Sequence, residues 1–230
     1  MAYRYLNRVE AGKVLGRLIK HREFRGAPII VALPRGGVPV GFEVAQVLHA
    51  PLDVLVVRKI GAPGHAELAC GALTLSGEIV WNERIMRSLG VTKDELQATV
   101  DAEREEALAR ENAMRITDAP MLPLLGKSVV LVDDGLATGA TMKAAVRSVL
   151  TLNPAEVIVC IPVAPASSCV ELERMGCSVV CDQQIDERFF SSVGQWYSEF
   201  PQVSTVECRE LLRKNRQGDE ITSDASSALS

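Results

Sequence analysis

Apolar positions along the chain alternate between two rhythms. From Asn7 to Glu23 they recur at helical spacing, at Val9, Val14, Leu15, Leu18 and Ile19, which predicts an amphipathic helix. The run Pro28-Ile29-Ile30-Val31-Ala32-Leu33 reads as a short buried strand, ended by Pro34-Arg35-Gly36-Gly37. A helix is expected from Pro39 to His49, with Val40, Val44, Val47 and Leu48 on one side, and a second buried strand from Leu52 to Val57. Strand, helix and strand at this spacing predict a right-handed parallel crossover. The rhythm breaks over residues 60–81, where Gly61, Gly64, Gly71 and Gly77 separate short strand-like pieces at Leu68–Leu75 and Glu78–Trp81. A glycine-rich excursion of this length inside a compact domain points to a functional flap, or to an ordinary β-hairpin.

Thr92-Lys93-Asp94-Glu95 has the form of a capping box and opens a long helix to about Met114. Its charges, among them Glu103, Glu106 and Arg110, read as a solvated face laced by i,i+4 pairs. Ser128–Val132 is a strand, Thr141–Leu152 a helix and Val157–Val163 a strand; Pro165 suits the first turn of a further helix, and Ser178–Cys181 is one more short strand. Residues 184–203 are irregular and hold half of the aromatic side chains: Phe189, Phe190, Trp196, Tyr197 and Phe200. Ser204-Thr205-Val206-Glu207 caps a last helix to about Arg216, and residues 217–230 read as a polar, disordered tail. The pattern predicts an α/β chain with a doubly wound, mostly parallel five-stranded sheet, one domain over residues 1–216.

Composition sharpens this. The 230 residues are 47% apolar but only 4% aromatic, so the core is aliphatic, as a sheet covered on both faces requires. The net charge of −4 gives no global field to attract nucleic acid. No apolar run approaches the roughly 18 residues that span a bilayer, and the N-terminus lacks a signal-peptide pattern. The six cysteines form no C-x-x-C pair. The expectation is a reduced, cytoplasmic protein with neither nucleic acid nor membrane as a partner.

The chemistry concentrates after the strand Ser128–Val132. Asp133 and Asp134 stand at its carboxyl end, the edge at which open α/β sheets bind ligands. Gly135-Leu136-Ala137-Thr138-Gly139-Ala140-Thr141 follows and runs into a helix. Such a loop offers backbone N–H groups, two hydroxyls and a positive helix end, which suit a phosphate monoester. The adjacent carboxylates suit hydroxyl donors or a phosphate-bound Mg²⁺. The loop lacks the lysine and spacing of a P-loop. A receiver domain is disfavoured as well, because the next strand ends Ile161-Pro162-Val163-Ala164 without the expected aspartate. A tight turn of small residues would explain the glycines but not the paired carboxylates.

This run resembles the phosphoribosyl pyrophosphate (PRPP) signature of the type I phosphoribosyltransferases. The resemblance implies that Asp133 and Asp134 hold the ribose hydroxyls and, through the ligand or water, reach Mg²⁺. It implies that Gly135, Ala137, Thr138, Gly139, Ala140 and Thr141 cradle the 5-phosphate. Arg35, Gly36 and Gly37 resemble the family's pyrophosphate loop, which implies a cis peptide at Pro34–Arg35. Arg58 and Lys59, at a strand end, would neutralise the leaving pyrophosphate, or form a merely solvated strand end. Segment 60–81 would be the closing flap, and Glu67 in it the general base, or a solvated loop carboxylate. Phe190, Trp196 and Asp182 would contact the acceptor under a hood built from residues 184–203 and the N-terminal segment; Phe190 and Trp196 could equally pack the last helix. Over most of its length the chain is similar to uncharacterised bacterial phosphoribosyltransferase-domain proteins. The family implies Mg²⁺ as cofactor, transfer of ribose 5-phosphate to a nitrogen acceptor such as a nucleobase, and often a homodimer. Ala137 stands where 6-oxopurine enzymes carry an aspartate, so the acceptor is left open. Two rivals remain: a PRPP- or nucleotide-sensing regulator without turnover, and a PRPP-linked hydrolase or synthetase-like enzyme.

Overall fold

The structure is a computed structural model that describes residues 3–74, 79–114 and 122–227. Helix α1 (Arg8–Ile19) leads into strand β1 (Pro28–Ala32), helix α2 (Gly37–Leu48) and strand β2 (Leu52–Val54). Three strands follow, β3 (Val57–Ala62), β4 (His65–Thr74) and β5 (Ile79–Trp81), then helices α3 (Glu83–Leu89) and α4 (Gln97–Met114). The chain continues through β6 (Ser128–Val132), α5 (Ala140–Thr151), β7 (Glu156–Pro165), α6 (Ala166–Glu173), β8 (Ser178–Ile185) and α7 (Thr205–Ser227).

Five strands form one sheet in the order β2-β1-β6-β7-β8, every pair parallel. Strand alternation divides the core. Ile30, Ala32, Val130, Val132, Ile158 and Cys160 face α1, α2 and α7, whereas Ile29, Val31, Val129, Leu131, Val157 and Val159 face α5 and α6. Both faces are covered, which explains why β6 is buried along its whole length. The chain winds outward from β1 to β2 and then returns to the other side of β1 as β6. This reversal opens a crevice between the carboxyl ends of β1 and β6, where ligands of such sheets bind.

The expected strand Leu52–Val57 is divided. β2 ends at Val54; Leu55 and Val56 are buried between the sheets, and Val57 already belongs to β3. Beside this break the buried Asp53 carboxylate accepts the N–H of its neighbour Val54 at 2.8 Å and that of Leu122 at 2.8 Å. The flap segment is an antiparallel sheet, β3-β4-β5, with its own core of Ile60, Cys70, Leu73, Met86, Leu96 and Val100. The expected capping box forms, with the Glu95 carboxylate accepting from Thr92 N–H at 2.8 Å, but it closes one turn before α4 begins at Gln97. Helix α3 has no counterpart among the elements expected from the sequence. Its signals are short: Asn82 accepts the Ile85 N–H as N-cap, and Gly90 ends it in the left-handed conformation. Helix α7 passes Arg216 and extends to Ser227, so most of the expected tail is helical. Gly218 is a weak stop without a following proline, because each further residue adds one helical bond.

The aromatic segment joins the N-terminus to form a hood over the carboxyl edge. Tyr5 pairs with Tyr197 as a parallel bridge, and Tyr5, Val163, Ile185, Trp196 and Tyr197 share a small core.

Candidate active site

The two loops that border the crevice are packed into each other. Gly36 and Gly37 lie against the acidic pair so closely that side chains are excluded. A Cβ on Gly36 would stand 2.0 Å from the Asp134 carboxylate, and one on Gly37 would stand 2.7 Å from the Val132 carbonyl oxygen. The Pro34–Arg35 peptide is cis, as the resemblance implied. Cys208 donates its thiol hydrogen to the Arg35 carbonyl at 3.7 Å, which ties this loop to α7.

Asp133 and Asp134 follow β6 directly. The Asp133 Oδ1 atom accepts the Asp134 N–H at 2.9 Å. Burial and the neighbouring Asp134 charge push the Asp133 carboxyl well above the usual range. Burial raises Asp134 also, with Arg8 opposing the rise: its Nε donates to the Asp134 Oδ2 atom at 2.8 Å. Gly135 has φ 153°, and a Cβ there would lie 2.7 Å from Val193 of the hood. Ala137 and Thr138 are exposed, and Gly139 enters α5 with φ 66°. The loop therefore presents its backbone at the start of a helix beside two carboxylates, an arrangement that can accept hydroxyl donors and hold a phosphate at once.

Beside this crevice lie two cavities of about 630 and 640 Å³, both lined by Pro34, Val57 and Thr141. Arg35 borders the first, Arg58 and Lys59 the second. Adjacent on a strand, Arg58 and Lys59 part company. Arg58 turns to α4, where it donates to Glu103 and Glu106 at 2.5 Å each. Lys59 also lines a further cavity of about 430 Å³ against α5, shared with Thr138, Lys143 and Arg147. Lys143 in turn is paired with Glu171. Glu67 lies in β4, but its side chain is outside the described residues.

The hood residues are largely committed to one another. Phe190 and Trp196 stack with centroids 6.4 Å apart and planes 26° apart. Trp196 is only 9% exposed, which leaves the half-buried Phe190 as the ring better placed to meet a ligand. The Asp182 carboxylate accepts the hydroxyls of Tyr3 at 2.6 Å and Tyr5 at 2.5 Å, so its Oδ2 atom is already occupied. Tyr197 reaches the site itself by donating its hydroxyl to the Asp134 carbonyl at 2.6 Å; burial, then the Asp134 charge, raises its pKa.

Arg8 and Tyr197 thus touch the acidic pair; the sequence pattern places Tyr197 only in the hood and does not mark Arg8. Arg8 does carry a signal: it falls in register with Ala11, Leu15 and Ile19 on the buried face of α1, where a cation requires a partner. Among the described residues no group of three or more His, Cys, Asp or Glu could hold a metal, and no helix is long and apolar enough to cross a membrane.

A family model for the phosphoribosyl transferase domain matches residues 10–195. Proteins from two strains of Mycobacterium tuberculosis, named only provisionally as phosphoribosyl transferases, are 37% identical over 206 residues, or 90% of this chain. The chain spans 46% of the length of those relatives. The crystal structure of TT1426 from Thermus thermophilus is 35% identical, with a TM-score of 0.82 over 92% of this chain and 98% of that one.

Proposed function

Because the chain belongs to the phosphoribosyl transferase domain family, we propose that it transfers ribose 5-phosphate from PRPP to a nitrogen acceptor, with release of pyrophosphate. The observation that carries this reading is the contact between the two loops: Asp133-Asp134 and the 135–141 turn close directly on Gly36-Gly37. A sugar held by the first loop therefore presents its C1 substituent towards the second.

In this reading Asp133 and Asp134 accept the ribose hydroxyls, and the N–H groups and hydroxyls of Ala137–Thr141 hold the 5-phosphate. Arg35 and Lys59 stabilise charge on the departing pyrophosphate. Arg58 joins them only by leaving Glu103 and Glu106. Glu67 takes the acceptor proton, and the β3-β4-β5 flap excludes water from the developing oxocarbenium centre. The donor set fits an Mg²⁺ that arrives on phosphate, since the crevice offers two carboxylates, one of them already bonded to Arg8. That ion would supply charge neutralisation of the pyrophosphate. The acceptor is a planar base that meets Phe190; Ala137 supplies no carboxylate for a base nitrogen.

The test is incubation with PRPP, Mg²⁺ and a panel of nucleobases and amines, with pyrophosphate release followed. Release with a subset of acceptors is expected. Tight PRPP binding with no release from any acceptor would replace transfer by a sensing role, and no PRPP binding at all would remove both.

A further inference from the structure

Arg8 belongs to neither loop, yet among the described residues it is in direct contact with the acidic pair. It opens α1 and, with Ala11, Gly12, Leu15, Gly16 and Ile19, lies on that helix's buried face. A guanidinium in such a place must have its donors satisfied. Its Nε donates to the Asp134 Oδ2 atom at 2.8 Å, and its Nη1 donates to the Pro201 carbonyl at 2.7 Å. The Phe200 ring lies beneath it, with the guanidinium carbon 3.8 Å from the ring centroid. Side-chain exposure is 10% for Arg8 and 15% for Asp134, so water screens this pair little.

The guanidinium is planar and its donors point in fixed directions. With Nε on Asp134, Nη1 on Pro201 and one face on Phe200, it cannot turn without losing more than one contact. Asp134 is limited from other sides as well. Tyr197 donates to its backbone carbonyl at 2.6 Å, and Gly36 approaches so closely that a Cβ there would stand 2.0 Å from Oδ2. Arg8 and Gly36 therefore both bear on Oδ2 and fix where the Asp134 carboxylate sits.

We propose that Arg8 is a positioning residue of the donor site: it fixes the Asp134 carboxylate in the pose that receives a ribose hydroxyl, and makes that pose depend on the seating of hood residues 197–201. This rests on the reading of Asp133-Asp134 as the ribose clamp. It goes beyond that reading by assigning a role to a residue of α1, and it links the hood to donor binding through Pro201 and Phe200.

The experiment is a double-mutant cycle read by PRPP affinity. Titration calorimetry with PRPP and Mg²⁺, carried to high PRPP concentration, is applied to the full chain, to Arg8→Gln, to Arg8→Lys, and to each in an Asp134→Asn background, with melting temperatures recorded alongside. Arg8→Gln is expected to weaken PRPP by about tenfold or more, the scale of one lost charge-assisted hydrogen bond. Arg8→Lys should recover part of that loss, because it returns a cation to Asp134 without the second bond to Pro201. With Asp134→Asn present, Arg8→Gln should cost little further affinity, since residues that act through one another are not additive. A merely structural role would lower the melting temperature, and would weaken PRPP equally whether or not Asp134 is intact. Wild-type affinity in Arg8→Gln, or an undiminished loss in the Asp134→Asn background, overturns the proposal. If Asp134→Asn abolishes measurable binding, recovery by lysine decides: none overturns it. If Arg8→Gln fails to fold, the cycle is run with Arg8→Lys. Full PRPP affinity in Asp134→Asn alone would instead refute the ribose clamp itself, a result distinct from failure at Arg8.

Discussion

Gly36→Ala isolates the contact between the two loops. Gly36 has φ −62° and ψ −34°, an ordinary right-handed conformation that alanine adopts without strain. The effect of the substitution is therefore steric. The new Cβ would lie 2.0 Å from the Asp134 Oδ2 atom and 2.6 Å from its Cγ, whereas ordinary contact begins at 3.4 Å. The carboxylate would have to retreat by about 1.4 Å, the difference between 3.4 and 2.0 Å. It cannot do so and keep Arg8 at 2.8 Å, because Arg8 is itself held by Pro201. One charge-assisted hydrogen bond is worth about 1.5–3 kcal/mol. With each 1.4 kcal/mol a factor of ten, PRPP should bind about 10- to 150-fold more weakly.

Calorimetric titration with PRPP and Mg²⁺ at fixed salt measures this, with the melting temperature as control. Gly37→Ala provides the contrast. Its Cβ would meet the Val132 carbonyl at 2.7 Å and the Asp133 Cα at 3.0 Å, the backbone at the end of the central strand. That variant should lose stability as well as affinity, whereas Gly36→Ala should lose mainly affinity. A Gly36→Ala protein that binds PRPP as the parent does, at an unchanged melting temperature, would refute the argument, because no alanine fits the observed packing with Asp134 in place.

Three further variants probe the surroundings. Burial alone would raise the Glu156 carboxyl, but the Arg25 N–H, the Ser128 hydroxyl and Arg22 outweigh it and hold it below its usual range. Its contribution is then present above the unfolded value of about 4.3 and lost as pH falls through the folded one, so Glu156→Gln should cost about 1–3 kcal/mol at neutral pH and little in acid. Denaturant unfolding across pH checks this; an equal loss at every pH would contradict it. Glu103→Gln combined with Glu106→Gln removes the carboxylates that hold Arg58. Pyrophosphate should then bind a few-fold more tightly, and unchanged affinity would make Arg58 a tie between β3 and α4 only. Glu67→Gln should slow turnover with PRPP affinity kept, and unchanged turnover discards it as the base.

The acidic loop after β6 is legible in the sequence because its logic is local. An apolar strand, two carboxylates and a glycine-bearing turn are consecutive, and their contact with Gly36-Gly37 follows from β1 and β6 being neighbours. The break at Leu55–Val56 is not legible, since apolar residues continue through it and only the course of the chain separates β2 from β3. Arg58 and Lys59 look like one cationic pair in sequence, yet period-two alternation in a strand sends them to opposite faces, towards α4 and α5. Asp182 looks available for a ligand because its partners, Tyr3 and Tyr5, lie some 180 residues earlier. Arg8 is hidden for the same reason: 126 residues separate it from Asp134, and no periodicity along the chain reports such a pair.

Asp133 sets the stability of the fold against the proposed ligand binding. Its Oδ1 atom accepts the Asp134 N–H at 2.9 Å, a bond that the amide oxygen of asparagine can also accept. What Asp133→Asn removes is the charge. Burial and the Asp134 carboxylate push the Asp133 pKa well above its usual range, so the folded protein holds this proton more tightly than the unfolded chain does. The stability linked to that proton is fully present below the unfolded value of about 3.9 and is lost as pH rises through the folded one. Above the unfolded value the Asp133 carboxyl therefore opposes folding, through its buried charge or through the proton that the folded state must take up. Asp133→Asn should raise the melting temperature at neutral pH, show no gain in acid where the parent carboxyl is already neutral, and lose PRPP affinity throughout. Thermal melts from about pH 4 to about pH 8, paired with PRPP titrations, test this. A variant that is less stable at neutral pH, or that gains equally in acid, would show that the charge is not what burial penalises. If the gain appears with rising pH while binding is lost, then Asp133 is kept at a cost to the empty fold, and the hydroxyls or cation that offset that cost arrive with the ligand.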